Sequence, residues 1–380
     1  MKRSEQRILT THAGSLPRPK PLLELMRTSG FDTAEFHAAV ESAVDHSVRQ
    51  QVAAGIDVVS DGEMGRVAFN SYAADRLAGL GGACQRRPST EEREYPDLAD
   101  YLLPQQGVSG ADYPVCIGPL AYTGAAAVER DIANLKRAAG SASANEAFLT
   151  AASPGTLCSI FGESFYSKYE DYLFGMAEAM RHEYAAIVAA GLLLQLDAPD
   201  LVIESHRKFQ DLSTAEFLQI LELHIEAINR AIAGLAPDQV RLHVCWGNGP
   251  RPHTTDIPLK DIIHLLLKAN VGALSLEGSN PRHAHEWRVW EEVKLPPGKL
   301  LVPGVIDSTS NFVEHPELVA ERIVRLARLV GRENVIAGTD CGFGTGAGRG
   351  WVAPTVVEAK LRSLAQGAEI ASRELFDTVD

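Results

Sequence analysis

"VRLHVCW", residues 240–246, is a short and nearly continuous apolar run that ends in His243 and Cys245. Bounded by turn residues, it reads as a β-strand buried on both faces, the kind found in parallel sheets. Side chains alternate along a strand with period two, so the imidazole and the thiol share one face. That pairing is half of a metal site or two small residues of a core strand. The strand alone leaves both readings open.

The same kind of run recurs outward in both directions. It is found in "RILTTHAGS" (7–15), "GIDVVSDGE" (55–63), "PVCIGP" (114–119) and "LLLQLDAP" (192–199). After 240–246 come "VGALSLEG" (271–278), "LLVPGVID" (300–307) and "NVIAGTD" (334–340), which makes eight. Helical patterns lie between most of them. The stretch 213–235 opens with a capping box, Ser213 with Glu216, and 167–191 and 315–331 each close on a glycine. Strands alternating with helices give an α/β architecture, and eight units predict a (β/α)8 TIM barrel, a single domain over residues 1–380. A doubly wound sheet is disfavoured because "HAGSLPRP" follows the first strand in place of a G-x-G-x-x-G turn. The polar, Gly- and Pro-containing stretch 80–113 reads as an excursion packed on the barrel. Residues 140–157 read as a long active-site loop, and the aromatic-rich 161–172 as a wall of the donor pocket.

Composition narrows the function classes. The chain is 45% apolar with a formal net charge of −13, which opposes general affinity for nucleic acid or an anionic membrane. No run approaches transmembrane length, and "MKRSEQRILTTH" lacks the apolar core of a secretory signal. The five cysteines, Cys84, Cys116, Cys158, Cys245 and Cys341, are odd in number and scattered, which is no disulfide framework. A reduced, cytoplasmic protein is expected. Cys116 and Cys158 read as inert core thiols, and His206, His253, His283 and His285 as surface residues of loops or helix starts.

In a parallel barrel, chemistry sits at the carboxyl ends of the strands. Those ends carry Ser15, Asp61 with Glu63, Asp197, His243 with Cys245, Glu277, Asp307, and Asp340 with Cys341. His243, Cys245, Glu277 and Cys341 end strands five, six and eight, on one side of a closed barrel, so they can converge. One imidazole, two thiols and a carboxylate suit zinc, and the thiolates argue against magnesium or calcium. Ligands gathered from several strand ends at a barrel mouth point to a catalytic metal more than a structural one.

At these residues the chain resembles a known family. "LHVC", "LSLEGS" and "GTDCGFGT" are similar to the zinc-ligand segments of the cobalamin-independent methionine synthase C-terminal barrel, in the uroporphyrinogen decarboxylase-like superfamily. "TTHAGSLPRP", "GIDVVSDGEMGR" and "LQLDAPDL" extend the resemblance, in order, over nearly the whole chain. It implies that His243, Cys245, Glu277 and Cys341 hold zinc, and that Ser15, Glu63 and Asp197 hold the amino-acid end of a thiol substrate. An amine facing two carboxylates is an opposite-charge pairing. The chain departs from the family in having one barrel where such synthases have two. It also has Thr309 where the family has a proton-donating His, and Glu204 is the nearest match for the second acidic residue after the Asp-Pro strand.

The expected activity is therefore alkyl transfer to a small-molecule thiol: a zinc-bound thiolate attacks an alkyl donor and forms a thioether. A methyl-transferring synthase of the homocysteine type is the leading form. Epoxide opening of the epoxyalkane:coenzyme M transferase type, found among short single-barrel relatives, is the alternative. Either route needs a general acid for the leaving atom. Asp307 is favoured by position over His12, Asp340 and Tyr166. A decarboxylase of the other superfamily branch would need a basic cleft for a polyacidic substrate, and a purely structural zinc protein would leave the remaining strand-end acids unexplained.

Overall fold

A computed structural model describes residues 1–28, 31–102 and 112–377. Among these residues eleven strands run in chain order: β1 (Leu9–Thr10), β2 (Val58–Ser60), β3 (Leu77–Gln85), β4 (Asp112–Tyr122), β5 (Glu146–Ala152) and β6 (Gly162–Glu163). They continue as β7 (Leu193–Asp197), β8 (Val240–Val244), β9 (Ala273–Leu276), β10 (Leu300–Ile306) and β11 (Ile336–Thr339). Eight of them form one parallel sheet in the order β1-β11-β10-β9-β8-β7-β5-β2. A parallel bridge between Thr11 and Val58 joins its two ends, so the sheet is a barrel surrounded by helices, as expected.

One strand of the expected eight is different. Residues 114–119 lie in β4, outside the barrel, in a three-stranded sheet with β3 and β6. Cys116 is fully buried while its neighbour Ile117 is 58% exposed, the two-faced pattern of a strand with one wet side. The third barrel strand is instead β5, inside the stretch expected to be an active-site loop. Phe148 to Ala152 are buried on both faces and pair with Leu193 to Asp197 of β7.

The barrel is built by burial. Leu194, Leu242 and Leu274, on neighbouring strands, are all fully buried, and each such side chain contributes roughly 1.5–3 kcal/mol. Helix ends fall where local chemistry places them. Ser213 and Glu216 form the capping box that starts the helix Thr214–Ala231. Gly331, at φ +92°, ends the helix Pro316–Val330 in a conformation closed to most side chains. The barrel floor is polar: the buried Arg241 guanidinium stacks 3.5 Å from the Phe148 ring centroid and donates to Gln195, Thr11 and the His12 carbonyl.

The excursion follows the second barrel strand. Its described part holds β3, two short helices, Thr90–Glu94 and Leu98–Leu102, and the return strand β4. Arg87 pairs with Asp211, and Glu92 takes Arg251 at 3.3 Å, which fastens the excursion against the carboxyl-end loops. Among the described residues, no helix is long and apolar enough to cross a membrane.

Candidate metal and thiol site

Parallel pairing in register sets the site. Asp197 of β7, His243 of β8 and Ser275 of β9 stand side by side at one level of the barrel. His243 Nδ1 lies 3.2 Å from Ser275 Oγ, which orients the ring and leaves its buried Nε2 without a hydrogen-bond partner among the described residues. Cys245 follows β8 on the same face, and Cys341 follows β11. Their sulfurs are 3.7 Å apart, and the three potential ligand atoms lie within 4.8 Å of one another. Two sulfurs each about 2.3 Å from one tetrahedral ion would be roughly 3.8 Å apart. An orphaned imidazole nitrogen beside two thiols at that spacing fits a zinc-type ion.

Backbone approaches hold the site closed. A side chain at Gly342 would collide with Ser15 Oγ, and Phe343 N–H donates to the Ser15 carbonyl at 2.8 Å, so the ends of β1 and β11 are locked together beside Cys341. Asp340 accepts from the N–H groups of Gly278, Ser279 and Asn280, each at 2.9 Å. It is a clamp on the loop after β9 and not a proton donor in the cavity.

Glu277 lies next to this group but is turned from it. Its oxygens accept from Trp246 N–H at 2.9 Å and from Asn280 Nδ2 at 2.8 Å. Burial, and then the nearby Cys245, raise its pKa well above the usual carboxylate range. The three-residue cluster is thus assembled without Glu277, each of whose oxygens already accepts one hydrogen bond.

A cavity of about 230 Å³ opens above the thiols and is lined by Ser15, Glu63, Asp197, His243, Cys245 and Cys341 among others. Six of the eight residues singled out from sequence therefore face it. Glu277 and Asp307 do not. Asp307 Oδ1 accepts from the Thr309 N–H and hydroxyl, a local turn bond, so this candidate acid is away from the cavity. The other candidates fail similarly: His12 is bonded to Gln51 and held near 4 mainly by burial, and Tyr166 does not reach the lining. The segment 161–172 contributes nothing to the cavity lining either. Its place is taken by the excursion, through Arg86, Ser89, Glu91 and Tyr113.

The cavity carboxylates are held for use. Glu63 sits at φ +57°, a conformation costing about 1–3 kcal/mol for a non-glycine residue. Its Oε1 accepts from Thr150, while its buried Oε2 has no hydrogen-bond partner among the described residues and lies 3.7 Å from Arg18. Burial is the largest influence on Asp197 and pushes it up to about 7 against the pull of His243. Burial also raises Glu204, which lines the same cavity. For His243, burial acts to lower the pKa, but the Cys245 sulfur beside it raises it overall. The hydrogen bond between the sulfurs lowers the Cys245 thiol and raises that of Cys341.

Two features escaped the sequence. Four arginines, Arg86, Arg207, Arg251 and Arg349, converge on the cavity, and mutual repulsion adds to burial in lowering the pKa values of Arg207 and Arg349. Three of the four loop histidines are also not surface residues: His206 and His283 are buried and His253 is half-buried, while His285 is exposed as expected. The spacings His253-x2-Asp256 and His283-x2-Glu286 were the available signal. Cys116 and Cys158 are buried and lie off the cavity, and burial raises both thiols.

Fold and site together define a (β/α)8 barrel with a His–Cys–Cys cluster at the carboxyl face. The chain belongs to the cobalamin-independent synthase family, whose catalytic domain it matches over residues 155–365. It is similar to the methionine synthase of Saccharolobus solfataricus, 26% identical with 96% of this chain and 95% of that one covered. That of Sulfurisphaera tokodaii is 27% identical, over 96% and 93% of the two chains. In fold it is similar to a B12-independent methionine synthase from Shewanella sp. W3-18-1, solved in complex with selenomethionine. That likeness has a TM-score of 0.75 at 23% identity and covers 98% of this chain and 99% of the other.

Proposed function

We propose that this chain, as one barrel domain over residues 1–380, is a zinc-dependent thiol alkyltransferase, in its leading form an S-methyltransferase of the methionine synthase type. The observation that carries the reading is the orphaned His243 Nε2 facing two sulfurs 3.7 Å apart on the floor of a cavity. His243, Cys245 and Cys341 would hold zinc, with Glu277 beside them as a fourth ligand on rotation. When bound, zinc would favour the thiolate of a substrate thiol at neutral pH, where a free thiol with a pKa near 8.5 is mostly protonated.

The remaining residues act on the rest of the substrate. Glu63 and Asp197 face the cavity as a carboxylate pair for an amine, and Ser15 offers a hydroxyl beside them. Charge pairing with the amine would draw Asp197 to its ionised form. The S–C bond forms as the bond from carbon to the leaving atom breaks, and that atom takes a proton. We assign the proton to Glu204, which burial keeps protonated to higher pH, in place of Asp307.

A second reading, epoxide opening by an anionic thiol such as coenzyme M, is favoured by one observation: the four arginines at the cavity suit a substrate carrying a strong acid group. The discriminating experiment measures zinc content of the wild type beside Cys245→Ala and Cys341→Ala, with proton release on adding homocysteine or coenzyme M. About one thiol-site zinc per chain, lost in both variants, with release on one thiol, supports the reading and names the acceptor. Zinc content indifferent to both substitutions would overturn it.

A further inference from the structure

A second group of ligand-type side chains stands apart from the thiol cluster, on the loops that follow β7, β8 and β9. Both His253 Nδ1, at 2.8 Å, and His283 Nε2, at 3.0 Å, point at the same oxygen of Asp256, Oδ2. Each ring is held from its other side. His283 Nδ1 lies 2.9 Å from Glu286, and His253 Nε2 lies 3.1 Å from the Gly249 carbonyl. These outer partners are acceptors, so they take the ring N–H. Burial opposes charge on both rings, but Asp256, and for His283 also Glu286, raises their pKa values, that of His283 to about 10. Without an ion the inward nitrogens therefore carry protons toward Asp256. A dication would take the place of those protons and leave two ring lone pairs and a carboxylate facing it.

Two further buried atoms aim into the same space. Among the described residues, His206 Nδ1 and Asp256 Oδ1 have no hydrogen-bond partner; they are 3.9 Å apart, on side chains only 9% and 4% exposed. His253 holds its place at φ +55°, a strained conformation for a non-glycine residue. Trp246 stacks on the His283 ring at 4.2 Å and fixes it from above.

We propose that His206, His253, Asp256 and His283 form a second metal site, for a divalent d-block ion such as zinc, that ties together the loops after β7, β8 and β9. One dication satisfies at once the inward nitrogens, the shared carboxylate and both orphaned atoms. Ligands about 2.0–2.2 Å from an ion lie roughly 3.3–3.5 Å from one another. The ligand atoms of His253, Asp256 and His283 all lie within 4.8 Å of one another, and His206 Nδ1 stands 3.9 Å from Asp256 Oδ1 as the fourth. An imidazole whose far N–H is given to a carboxylate or a backbone carbonyl is the usual outer arrangement of a metal-bound histidine. With four protein ligands the ion is structural. Its role is to order the wall that His206 and His253 present to the cavity.

The test is zinc stoichiometry and thermal stability of the full chain, in the wild type and in His253→Ala, Asp256→Asn and Cys245→Ser. About two zinc per chain are expected in the wild type, about one in each single variant and almost none in Cys245→Ser/His253→Ala. Cobalt(II) separates the sites, because sulfur-to-metal absorption in the near ultraviolet survives in His253→Ala and disappears in Cys245→Ser. Added zinc should still raise the Tm of Cys245→Ser, and not that of the double variant. A wild type with a single zinc that Cys245→Ser removes overturns this site and leaves the thiol site standing. A second zinc retained in both His253→Ala and Asp256→Asn overturns it as well.

Discussion

Cys245 and Cys341 are 96 residues apart in the chain, yet their sulfurs are 3.7 Å apart. One follows β8 and the other β11, with two strands between them in the barrel, so closure of the sheet sets the distance. A serine at either position keeps the volume and removes a soft ligand. Cys245→Ser and Cys341→Ser should each lose the thiol-site metal and lower kcat/KM by about a hundredfold or more, with Tm changed little. Metal analysis beside steady-state kinetics checks this.

Ser275 tests the orientation of His243 and not its identity. Its hydroxyl is the partner of Nδ1, so Ser275→Ala frees the ring to rotate and take the other tautomer. Metal affinity at the thiol site should fall about 10–100-fold, while saturating zinc restores activity. A chelator competition titration measures it, and unchanged affinity would remove Ser275 from the account.

Asp197 gives a pH dependence with a definite sign. Its folded pKa, near 7, is above the unfolded value of 3.8. Between about pH 4 and pH 7 the folded chain keeps a proton that the unfolded chain has released, so stability falls as pH rises through that window. Asp197→Asn removes the effect. Its Tm advantage over wild type should be absent near pH 4, grow to pH 7 and then level off, while KM for the amino-thiol rises. A Tm difference that does not change with pH counts against the assignment.

The arginines at the cavity give a salt-sensitive expectation. Arg251→Ala and Arg349→Ala should each raise KM for an anionic substrate about tenfold, and wild-type KM should rise with ionic strength. Equal KM values across a salt series would mean that these side chains serve only to fasten the excursion, as Arg251 does with Glu92.

Gly155 tests packing under the cavity. Asp200 accepts from Ser153 and Thr156, each at 2.6 Å, and bonds His224 at 2.7 Å. A methyl group at Gly155 would meet Asp200 Oδ2 and His224 Nδ1 well inside contact distance. Gly155→Ala should cost about 1–3 kcal/mol and lower the Tm by several degrees in calorimetry.

What could be read from the sequence followed from periodicity and donor chemistry. The pair His243 and Cys245 shares a face because strands repeat every two residues, and Cys341 joins them because parallel strands all end on one rim. β5 was hidden because "EAFLTAA" packs with alanines and a threonine where its sister strands carry branched residues, and serines flank it. β4 misled in the opposite sense, since "PVCIGP" is apolar yet leaves Ile117 in solvent. Asp307 occupies the expected strand end, but which way a carboxylate turns is decided by a local N–H, here that of Thr309. The loop histidines were invisible to strand counting because the fold, and not the spacing, brings residues 206, 253 and 283 together.

The excursion between β2 and β5 has a bearing on how such a molecule changes over time. It brings its own side chains to the upper wall of the cavity, while the thiol cluster belongs to barrel strands fixed by register. Part of the selectivity is thus encoded in a stretch of chain separable from the reactive cluster. Exchanging one contiguous insertion with that of a relative would reshape what enters without disturbing the machinery below, a modular route by which a single scaffold diversifies.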